Sequence, residues 1–315
     1  MKTHGLLFPG QGSQCKGMGR ALAEFDADCM DLWLLAERIS RLPLRAIFWE
    51  GTDEDMRQTK ALQPALTVVN CSLWKHLEGK CAIQGAAGHS LGEFSALACA
   101  HVLSIEDALT LTSLRGSLME QADPKHEGCM AAVLKLDAKT VAALVEEIQA
   151  QCQEILVCAN LNTPTQTVIS GTTHAVDIAC KLVKTQKGRA IALAVAAAFH
   201  SPMMEEANRE FSPQLARVTW HTARFPIYGN VDGQAEVDGD RLRAKMERQM
   251  VSSVVWCDTM RAMYADGITT YLELGPKSLL GKMVAPCLPS DAPISTHLLD
   301  TVEAIQAYGE AVCGQ

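Results

Sequence analysis

The stretch AIQGAAGHSLG at residues 82–92 contains a G-x-S-x-G motif, Gly88-His89-Ser90-Leu91-Gly92, between a predicted strand at 82–89 and a predicted helix at 93–101. The flanking glycines let the strand and the helix approach closely, and the strained turn leaves the Ser90 hydroxyl exposed at the helix N-terminus. Free backbone N–H groups and the helix dipole favour developing negative charge there. This context favours a nucleophilic serine over an ordinary turn serine.

Strands and helices alternate outward from this motif in both directions. Short turns between alternating strands and helices indicate a mostly parallel sheet that is covered by helices on both faces. The predicted elements of these outer parts are strands at 5–8, 225–228 and 269–274, and helices through 21–22 and at 30–39, 65–77, 105–119, 241–250, 259–265 and 278–284.

In the middle of the chain, the predicted strands and helices follow a different order. The order β-α-β-β-α-β is typical of a ferredoxin-like fold, and its roughly 70 residues suit a small module inserted into a larger domain. We therefore predict a discontinuous large α/β domain, residues 1–126 and 198–315, and a ferredoxin-like small domain, residues 127–197. The predicted elements of the small domain are strands at 131–136, 155–160, 167–170 and 190–195, and helices at 140–148 and 175–184.

The composition is typical of a folded globular protein, with 48% of the 315 residues hydrophobic and 20% charged. The 36 Asp and Glu outnumber the 28 Lys and Arg, and the formal net charge of -8 opposes a general attraction to nucleic acid or anionic lipid. The longest apolar runs, such as 191–199, are far shorter than the ~20 residues of a membrane-spanning helix. The segment 1–12 lacks the apolar core of a signal peptide. We expect a cytoplasmic protein that has neither a membrane span nor a nucleic-acid partner.

Twelve cysteines are scattered along the chain without any C-x-x-C pair. Cys152 and Cys158, which lie close in sequence, have no neighbouring pair of Cys or His that would complete a tetrahedral zinc site. Scattered cysteines in a protein of the cytosol are expected to be reduced core thiols. The sequence therefore predicts no metal ion.

A serine hydroxyl is a weak nucleophile near neutral pH, so a base must take its proton. His89 is adjacent to Ser90 but is expected to point away from it in the strained turn. His200 lies where the inserted module returns the chain to the large domain, and clefts between domains commonly hold sites. A histidine that is satisfied in a boundary core is an equally good interpretation of His200, and no Asp follows Ser90 in a recognisable triad position.

The turn Pro9-Gly10-Gln11-Gly12-Ser13 follows the first predicted strand. It fits neither a dinucleotide-binding loop nor a Walker A loop, because Cys15 stands where each motif requires glycine. In hydrolase-like sites, one oxyanion N–H comes from the residue after the nucleophile and another from a strand-following loop. Leu91 and Gln11 fit these two positions, although a tight turn alone would also explain the glycines.

Several segments taken together resemble the malonyl-CoA:acyl-carrier-protein transacylase family. Their order and spacing agree over essentially the whole chain, which is more specific than any single motif. The resemblance implies an α/β-hydrolase-like large domain with a ferredoxin-like insert, in agreement with the predicted order of strands and helices. The segments are GQGSQ at 10–14, GHSLGE at 88–93, LRG at 114–116, NLNTP at 160–164, VISG at 168–171, AFHS at 198–201, Gln249 before Trp256, and ELGP at 273–276.

The resemblance implies a role for each residue of the reacting centre. Ser90 resembles the nucleophile that carries the acyl group, and His200 resembles the base that later acts as the acid. Gln249 matches the residue whose main-chain carbonyl orients this histidine, which would explain the missing triad carboxylate. Gln11 and Leu91 resemble the two oxyanion donors.

Three further residues are implied to bind the substrate. Arg115 matches the position that holds the free carboxylate of the malonyl group, and a planar guanidinium suits this because it makes bidentate, charge-assisted bonds. Without the resemblance, Arg115 would be a solvated helix arginine. Phe199, beside the pocket, would crowd a branched acyl chain, and Asn162 lies in one of the shared segments.

The resemblance implies transfer of a malonyl group from malonyl-CoA to the phosphopantetheine thiol of acyl carrier protein, through an ester on Ser90. No cofactor other than these substrates is implied, the carrier protein is a transient partner, and we expect a monomer. Fatty-acid biosynthesis is the expected pathway, and polyketide synthesis is the alternative. A serine esterase or thioesterase has the same motif and needs only water as acceptor, whereas a silent scaffold would bind carrier proteins without forming an ester.

Overall fold

The structure of the chain is a computed structural model that describes residues 3–313. Its strands form one six-stranded sheet and one four-stranded sheet. The strands are β1 (His4–Phe8), β2 (Ile83–Gly88), β3 (Gly128–Leu134), β4 (Leu156–Thr163), β5 (Gln166–Thr172), β6 (Arg189–Ala192), β7 (Ile227–Tyr228), β8 (Ala235–Glu236), β9 (Thr270–Glu273) and β10 (Ser295–Leu298).

Helices connect most of these strands. Short non-α helical turns lie at Ala46–Glu50, Asp55–Arg57 and Pro202–Met204. The α-helices are α1 (Arg20–Phe25), α2 (Ala27–Ser40), α3 (Thr59–Leu77), α4 (Gly92–Cys99), α5 (Ile105–Gln121), α6 (Ala138–Cys152), α7 (Thr173–Thr185), α8 (Glu205–Leu215), α9 (Gly239–Gln249), α10 (Trp256–Ala265), α11 (Gly281–Cys287) and α12 (Val302–Cys313).

The larger sheet has the strand order β10-β9-β1-β2-β7-β8. Its neighbouring strands are parallel except for β7 and β8, which pair antiparallel. Successive side chains of a strand point to opposite faces. Along β1, Leu6 and Phe8 pack into one buried cluster and Leu7 packs into another, so both faces of the sheet are covered. The predicted mostly parallel, doubly covered sheet is confirmed.

The smaller sheet has the strand order β4-β5-β3-β6, and all its neighbouring pairs are antiparallel. Its elements follow the predicted order β-α-β-β-α-β along the chain. On β3, Ala131 and Val133 pack in a cluster with residues of α6 and α7. Met130 and Ala132, on the opposite face, belong to the main core. The sheet therefore lies between its own helices and the core of the larger sheet.

Some element boundaries differ from the sequence prediction. The helix expected at 278–284 spans Gly281–Cys287. Glu273 explains this shift, because its carboxylate accepts hydrogen bonds from the backbone N–H groups of residues 279–281 at 2.8–2.9 Å. These bonds satisfy N–H groups that would otherwise need a helical or capping partner. The elements without a counterpart in the prediction are α8, β8, β10 and α12.

No helix among residues 3–313 is long and apolar enough to cross a bilayer. None of the eleven cysteines whose side chains are described forms a disulfide, as the scattered spacing predicts. The side chain of Cys313, and Met1 and Lys2 of the segment considered for a signal peptide, lie outside the described part.

Gly88 and Gly92 fix how closely β2, β1 and α4 approach one another. A Cβ atom on Gly92 would lie 1.9 Å from the carbonyl oxygen of Phe8, and one on Gly88 would lie 2.0 Å from the carbonyl oxygen of Gly92. Both distances are far below van der Waals contact, and main-chain atoms cannot move aside as a flexible side chain can. The glycines predicted from the motif are therefore required by packing.

Gly92→Ala is expected to lower the free energy of unfolding by about 3 kcal/mol or more, because the new methyl group collides with main-chain atoms of β1. Gly309→Ala is the matched control, since its Cβ would lie 3.4 Å from Lys80 Cδ in ordinary contact. Alanine inside a helix stabilises it by about 1 kcal/mol relative to glycine. Urea denaturation measures both, and a Gly92→Ala variant as stable as the native protein would contradict the packing.

Candidate active site

The carboxyl ends of three neighbouring parallel strands meet at one edge of the larger sheet. β1 leads to Gln11, β2 leads to Ser90, and β7 leads to Asn230. In open α/β sheets this edge is where ligands bind, because loops from distant parts of the chain come together there. The topology therefore brings together two residues predicted from sequence and one that was not.

Ser90 occupies a strained turn that Asn230 holds in place. The φ angle of Ser90 is 51°, in the left-handed region that residues with a side chain rarely adopt. The Asn230 side chain spans this turn, accepting from the Ser90 N–H at 2.7 Å and donating to the Gly88 carbonyl at 2.6 Å. Strain of this kind persists only where surrounding contacts enforce it, and it is typical of functional sites.

His200 lies directly against the serine hydroxyl. Its Nε2 atom is 2.7 Å from Ser90 Oγ, although the two residues are 110 positions apart. The Nδ1 atom lies 3.1 Å from the carbonyl oxygen of Gln249 and 3.0 Å from that of Ser252. Carbonyls only accept, so Nδ1 carries the proton and Nε2 presents its lone pair to the hydroxyl. The sequence pointed to the Gln249 carbonyl, but nothing in it pointed to Ser252.

The environment of His200 favours the neutral imidazole. The side chain is buried, and this burial, reinforced by the positive charge of Arg115, lowers the pKa of His200 to about 3. The two carbonyl contacts raise the pKa of His200, but by less than burial lowers it. A neutral imidazole with a free Nε2 lone pair is the form that can accept a proton from serine.

Arg115 places a buried positive charge beside the nucleophile. The residue is only 1% exposed, and its Nη2 atom lies 3.2 Å from Ser90 Oγ. Its other partners are the amide oxygens of Gln63 and Gln249, each at 2.9 Å. Burial lowers the pKa of Arg115 to about 10, which leaves the guanidinium charged at neutral pH.

The Arg115 charge has no carboxylate within ion-pair distance among the described residues. Its Nε atom is buried and also has no hydrogen-bond partner. The guanidinium also lies over the ring of Phe94, 5.7 Å from its centroid. A buried cation with only neutral partners is costly unless an anion completes its surroundings. The site is therefore prepared for a ligand that carries a carboxylate.

The Gln249 side chain links Arg115 to the buried carboxyl group of Glu93. Its amide oxygen accepts from Arg115, while its amide nitrogen donates to Glu93 Oε2 and to the Ser90 carbonyl, both at 2.8 Å. The other carboxylate oxygen, Glu93 Oε1, accepts from the Asn230 N–H at 3.0 Å. Burial raises the pKa of Glu93 to about 7.

A cavity of roughly 100 Å³ opens at Ser90. Asn160 lines it, whereas Asn162 does not, because the Asn162 side chain is bonded at 2.8 Å to His89 Nε2. His89 thus does not bond to Ser90, but it contributes to the cavity wall. The lining residues are Gln11, Gln63, His89, Ser90, Leu91, Arg115, Met119, Met130, Asn160, Leu193, Val195, Phe199 and His200.

The two predicted oxyanion donors lie on adjoining loops. A Cβ atom on Gly10 would be 3.5 Å from the Leu91 nitrogen, so the turn after β1 packs against the start of α4. The Leu91 N–H precedes the first turn of α4, where no intrahelical acceptor exists. The N–H of Ser90 itself is taken by Asn230. Leu91 and Gln11 both line the Ser90 cavity, and their role as oxyanion donors stays a prediction.

Two other places in the molecule lack this combination of groups. A cavity of about 210 Å³ beside Cys15 and Phe25 has no histidine among the described residues that line it, and burial raises the pKa of the Cys15 thiol. Asp26, Cys29 and His76 have donor atoms within 4.8 Å of one another. However, Lys75 Nζ lies 3.5 Å from Asp26 Oδ2 and already supplies a cation there. The absence of a resident metal stays a prediction.

Sequence reasoning missed Glu93, Asn230, Gln63 and Ser252. Glu93 carries a usable signal, because it is the only charged residue in the helical segment GEFSALAC directly after the nucleophile. Asn230 follows a predicted strand and has the position expected of a loop residue at the sheet edge. Gln63 and Ser252 carry no such signal, since only the tertiary structure brings them to Arg115 and His200.

Known proteins are similar to this chain over nearly its whole length. The sequence profile of the acyl transferase domain family matches residues 6–301. The malonyl CoA-acyl carrier protein transacylase of Bacillus subtilis (strain 168) is 35% identical over 313 residues, covering 98% of each chain. The solved malonyl CoA-acyl carrier protein transacylase of Coxiella burnetii matches with a TM-score of 0.92 and 30% identity over 98% of this chain and 97% of that one.

A second solved structure contains a carrier protein. It is the malonyl-transacylase PlMCAT in complex with AntF, a type II PKS acyl-carrier protein, and it matches with a TM-score of 0.92 and 29% identity. The match covers 99% of this chain and 100% of that one. With a family profile that spans nearly the whole sequence and relatives that match from end to end, this chain belongs to the acyl transferase domain family.

Proposed function

We propose that this protein transfers a malonyl group from malonyl-CoA to the phosphopantetheine thiol of acyl carrier protein. The observation that carries the proposal is the Ser90 hydroxyl, which lies 2.7 Å from the imidazole of His200 and 3.2 Å from the guanidinium of Arg115. His200 activates the nucleophile as a base, and Arg115, which has no direct ion pair among the described residues, can bind an anionic acyl group. The printed names of the relatives describe the same donor and the same acceptor.

In the first half-reaction, Ser90 Oγ attacks the thioester carbonyl of malonyl-CoA while His200 Nε2 takes the hydroxyl proton. The negative charge of the tetrahedral intermediate is stabilised by the N–H groups of Leu91 and Gln11. The carbon–sulfur bond then breaks, and His200 returns the proton to the departing sulfur of coenzyme A. The product is a malonyl ester on Ser90.

The second half-reaction runs through the same groups in reverse. The carrier protein's thiol gives its proton to His200 Nε2 as its sulfur attacks the ester carbonyl. The ester bond breaks, and His200 returns the proton to Ser90 Oγ. The main-chain carbonyls of Gln249 and Ser252 accept hydrogen bonds from the Nδ1–H group throughout, which keeps the tautomer fixed. These neutral acceptors stabilise imidazolium less than a triad carboxylate would.

Arg115 provides the preference for malonyl. Its guanidinium, which lines the Ser90 cavity, can bind the free carboxylate of the acyl group, an interaction that acetyl cannot make. Phe199 lines the cavity and is proposed to limit branching of the acyl chain. Asn162 is proposed to act on the substrate through His89, to which it is bonded.

We further propose the division into a large domain of residues 1–126 and 198–315 and a small domain of residues 127–197. The support is a set of six elements from Gly128 to Ala192 with antiparallel order β4-β5-β3-β6, which suits a ferredoxin-like description. A nucleophile that follows a strand of a mostly parallel sheet suits a hydrolase-like description of the large domain. A monomeric state, a cytoplasmic location and a role in fatty-acid synthesis remain predictions.

Ser90→Ala is expected to abolish acyl-enzyme formation, because the nucleophilic oxygen is removed. Intact-mass spectrometry after mixing with malonyl-CoA should show a malonyl adduct on the native protein and none on the variant. Without holo-carrier protein, coenzyme A release should stop once the Ser90 ester has formed, and with the carrier it should continue. Continued release without carrier would favour the esterase or thioesterase alternative, and a native protein that never gains an adduct would favour a scaffold.

Arg115→Ala is expected to slow acylation by malonyl-CoA far more than acylation by acetyl-CoA, since only malonyl loses a carboxylate partner. The charge-assisted bonds at stake are worth about 1.5–3 kcal/mol each, so the kcat/KM ratio of the two donors should change at least about tenfold. Stopped-flow acylation with both donors measures this ratio. An equal loss for both would remove Arg115 from the selection of malonyl.

The imidazole of His200 is expected to remain neutral well below pH 6, since its pKa is lowered to about 3 by burial and the nearby guanidinium. A group that binds fewer protons in the folded than in the unfolded state costs stability as pH falls below its unfolded pKa of ~6.5. NMR of labelled histidine rings from pH 8 to pH 4, with His200→Gln to assign the signal, measures this. A midpoint between pH 6 and 7 would contradict the described environment.

A further inference from the structure

We propose that Glu93 is a positioning residue that holds both the turn that contains Ser90 and the guanidinium of Arg115. Through these contacts it sets the preference for a malonyl over an uncharged acyl group. This inference rests on the proposed malonyl transfer. Glu93 lies in the first turn of α4, three residues after Ser90, and is 2% exposed. Glu93 is not among the residues that line the Ser90 cavity, and its carboxylate makes no hydrogen bond to Ser90 Oγ, so it acts through other residues.

Two chains of hydrogen bonds, called arms here, start from the carboxylate. The first arm connects Glu93 Oε1 to the turn that contains Ser90. Oε1 accepts from the Asn230 backbone N–H at 3.0 Å. The Asn230 side chain in turn accepts from the Ser90 N–H and donates to the Gly88 carbonyl. The carboxylate thus anchors the residue that spans a turn with a positive φ at Ser90.

The second arm connects Glu93 Oε2 to the guanidinium of Arg115. Oε2 accepts from Gln249 Nε2 at 2.8 Å, and Gln249 Oε1 accepts from Arg115 Nη2 at 2.9 Å. An amide can be placed in two orientations that differ by a flip, and its neighbours decide between them. A carboxylate only accepts and a guanidinium only donates, so Glu93 and Arg115 together admit a single orientation of Gln249.

At pH 8, above the pKa of about 7 to which burial raises Glu93, the carboxyl group is mostly ionised and accepts on both oxygens, and this makes the arrangement unique. Both groups that face its oxygens, the Asn230 N–H and the Gln249 amide, are donors. A glutamine at position 93 would offer one acceptor and one donor. Its NH2 group would then face another donor, either the Asn230 N–H or the Gln249 amide nitrogen. Buried donors left without an acceptor are costly, and the network would reorganise. Release of Gln249 would then loosen the Nη2 group of Arg115.

Glu273 supplies a matched control. It is also a buried glutamate that accepts backbone N–H bonds, from residues 279–281, but it has no contact with Arg115, Gln249 or Asn230. Glu273→Gln therefore imposes the same chemical change at a comparable structural site. It should alter stability without altering the choice of acyl donor.

The experiment measures kcat/KM for acyl-enzyme formation with malonyl-CoA and with acetyl-CoA, at pH 8, on the full chain and its variants. Glu93→Gln is expected to lower the malonyl-to-acetyl ratio by about tenfold, the size of one charge-assisted hydrogen bond. Gln249→Leu, which keeps the main-chain carbonyl for His200, should lower the ratio similarly. The double variant should show no further drop, because both changes cut the same arm.

The proposal is overturned if folded Glu93→Gln keeps the native ratio, or if Glu273→Gln changes the ratio as much. If Glu93→Gln does not fold, Gln249→Leu alone decides, and a native ratio in that variant overturns the second arm. A native protein that forms no malonyl-enzyme would instead reject the proposed function, and the inference with it. A native protein that forms the ester while the variants keep its donor ratio would reject only the role of Glu93.

Discussion

The hydrogen bond between Ser90 Oγ and His200 Nε2, at 2.7 Å, is the interaction on which the rest of the site depends. Its two partners come from opposite sides of the smaller sheet in the chain order, and both have positive φ angles, 51° and 56°. Neither conformation is favourable for a residue with a side chain, so the surrounding packing must enforce both. On the serine side this packing is the close contact at Gly88 and Gly92, and on the histidine side it includes two main-chain carbonyls.

Burial affects the charge of each ionisable side chain of the site differently. The same loss of water keeps His200 neutral and leaves Arg115 as a cation without an ion-pair partner among the described residues. Glu93 balances this charge from behind Gln249 and not by direct contact. A direct salt bridge would satisfy the guanidinium and leave it less able to bind a substrate carboxylate. The amide between them transmits orientation while leaving Arg115 open on the cavity side.

The sequence was sufficient for the parts of this arrangement that depend on local pattern. The strand, turn and helix around Ser90, the alternation of the outer elements and the β-α-β-β-α-β order all follow from spacing and turn residues. His200 and Arg115 needed the family resemblance, since an isolated histidine or helix arginine has no local signature. Ser252 and Gln63 could not be assigned, because their roles arise from hydrogen bonds to residues 52 positions away. Asn230 follows a predicted strand, but its bond to the Ser90 N–H spans 140 positions. Asn160 and Asn162 lie on one strand, and the sequence does not distinguish Asn160, which lines the cavity, from Asn162, which is hydrogen-bonded to His89.

The central claim is that Ser90 carries a malonyl ester whose far carboxylate is held by the guanidinium of Arg115. The most direct measurement is a crystal structure of the protein exposed to malonyl-CoA without carrier protein. The account predicts continuous density from Ser90 Oγ to an acyl group whose carboxylate lies within hydrogen-bond distance of Arg115. The carbonyl oxygen of the ester is expected to lie against the Leu91 and Gln11 N–H groups. An acyl group on another residue, or a carboxylate that points into solvent away from Arg115, would contradict it.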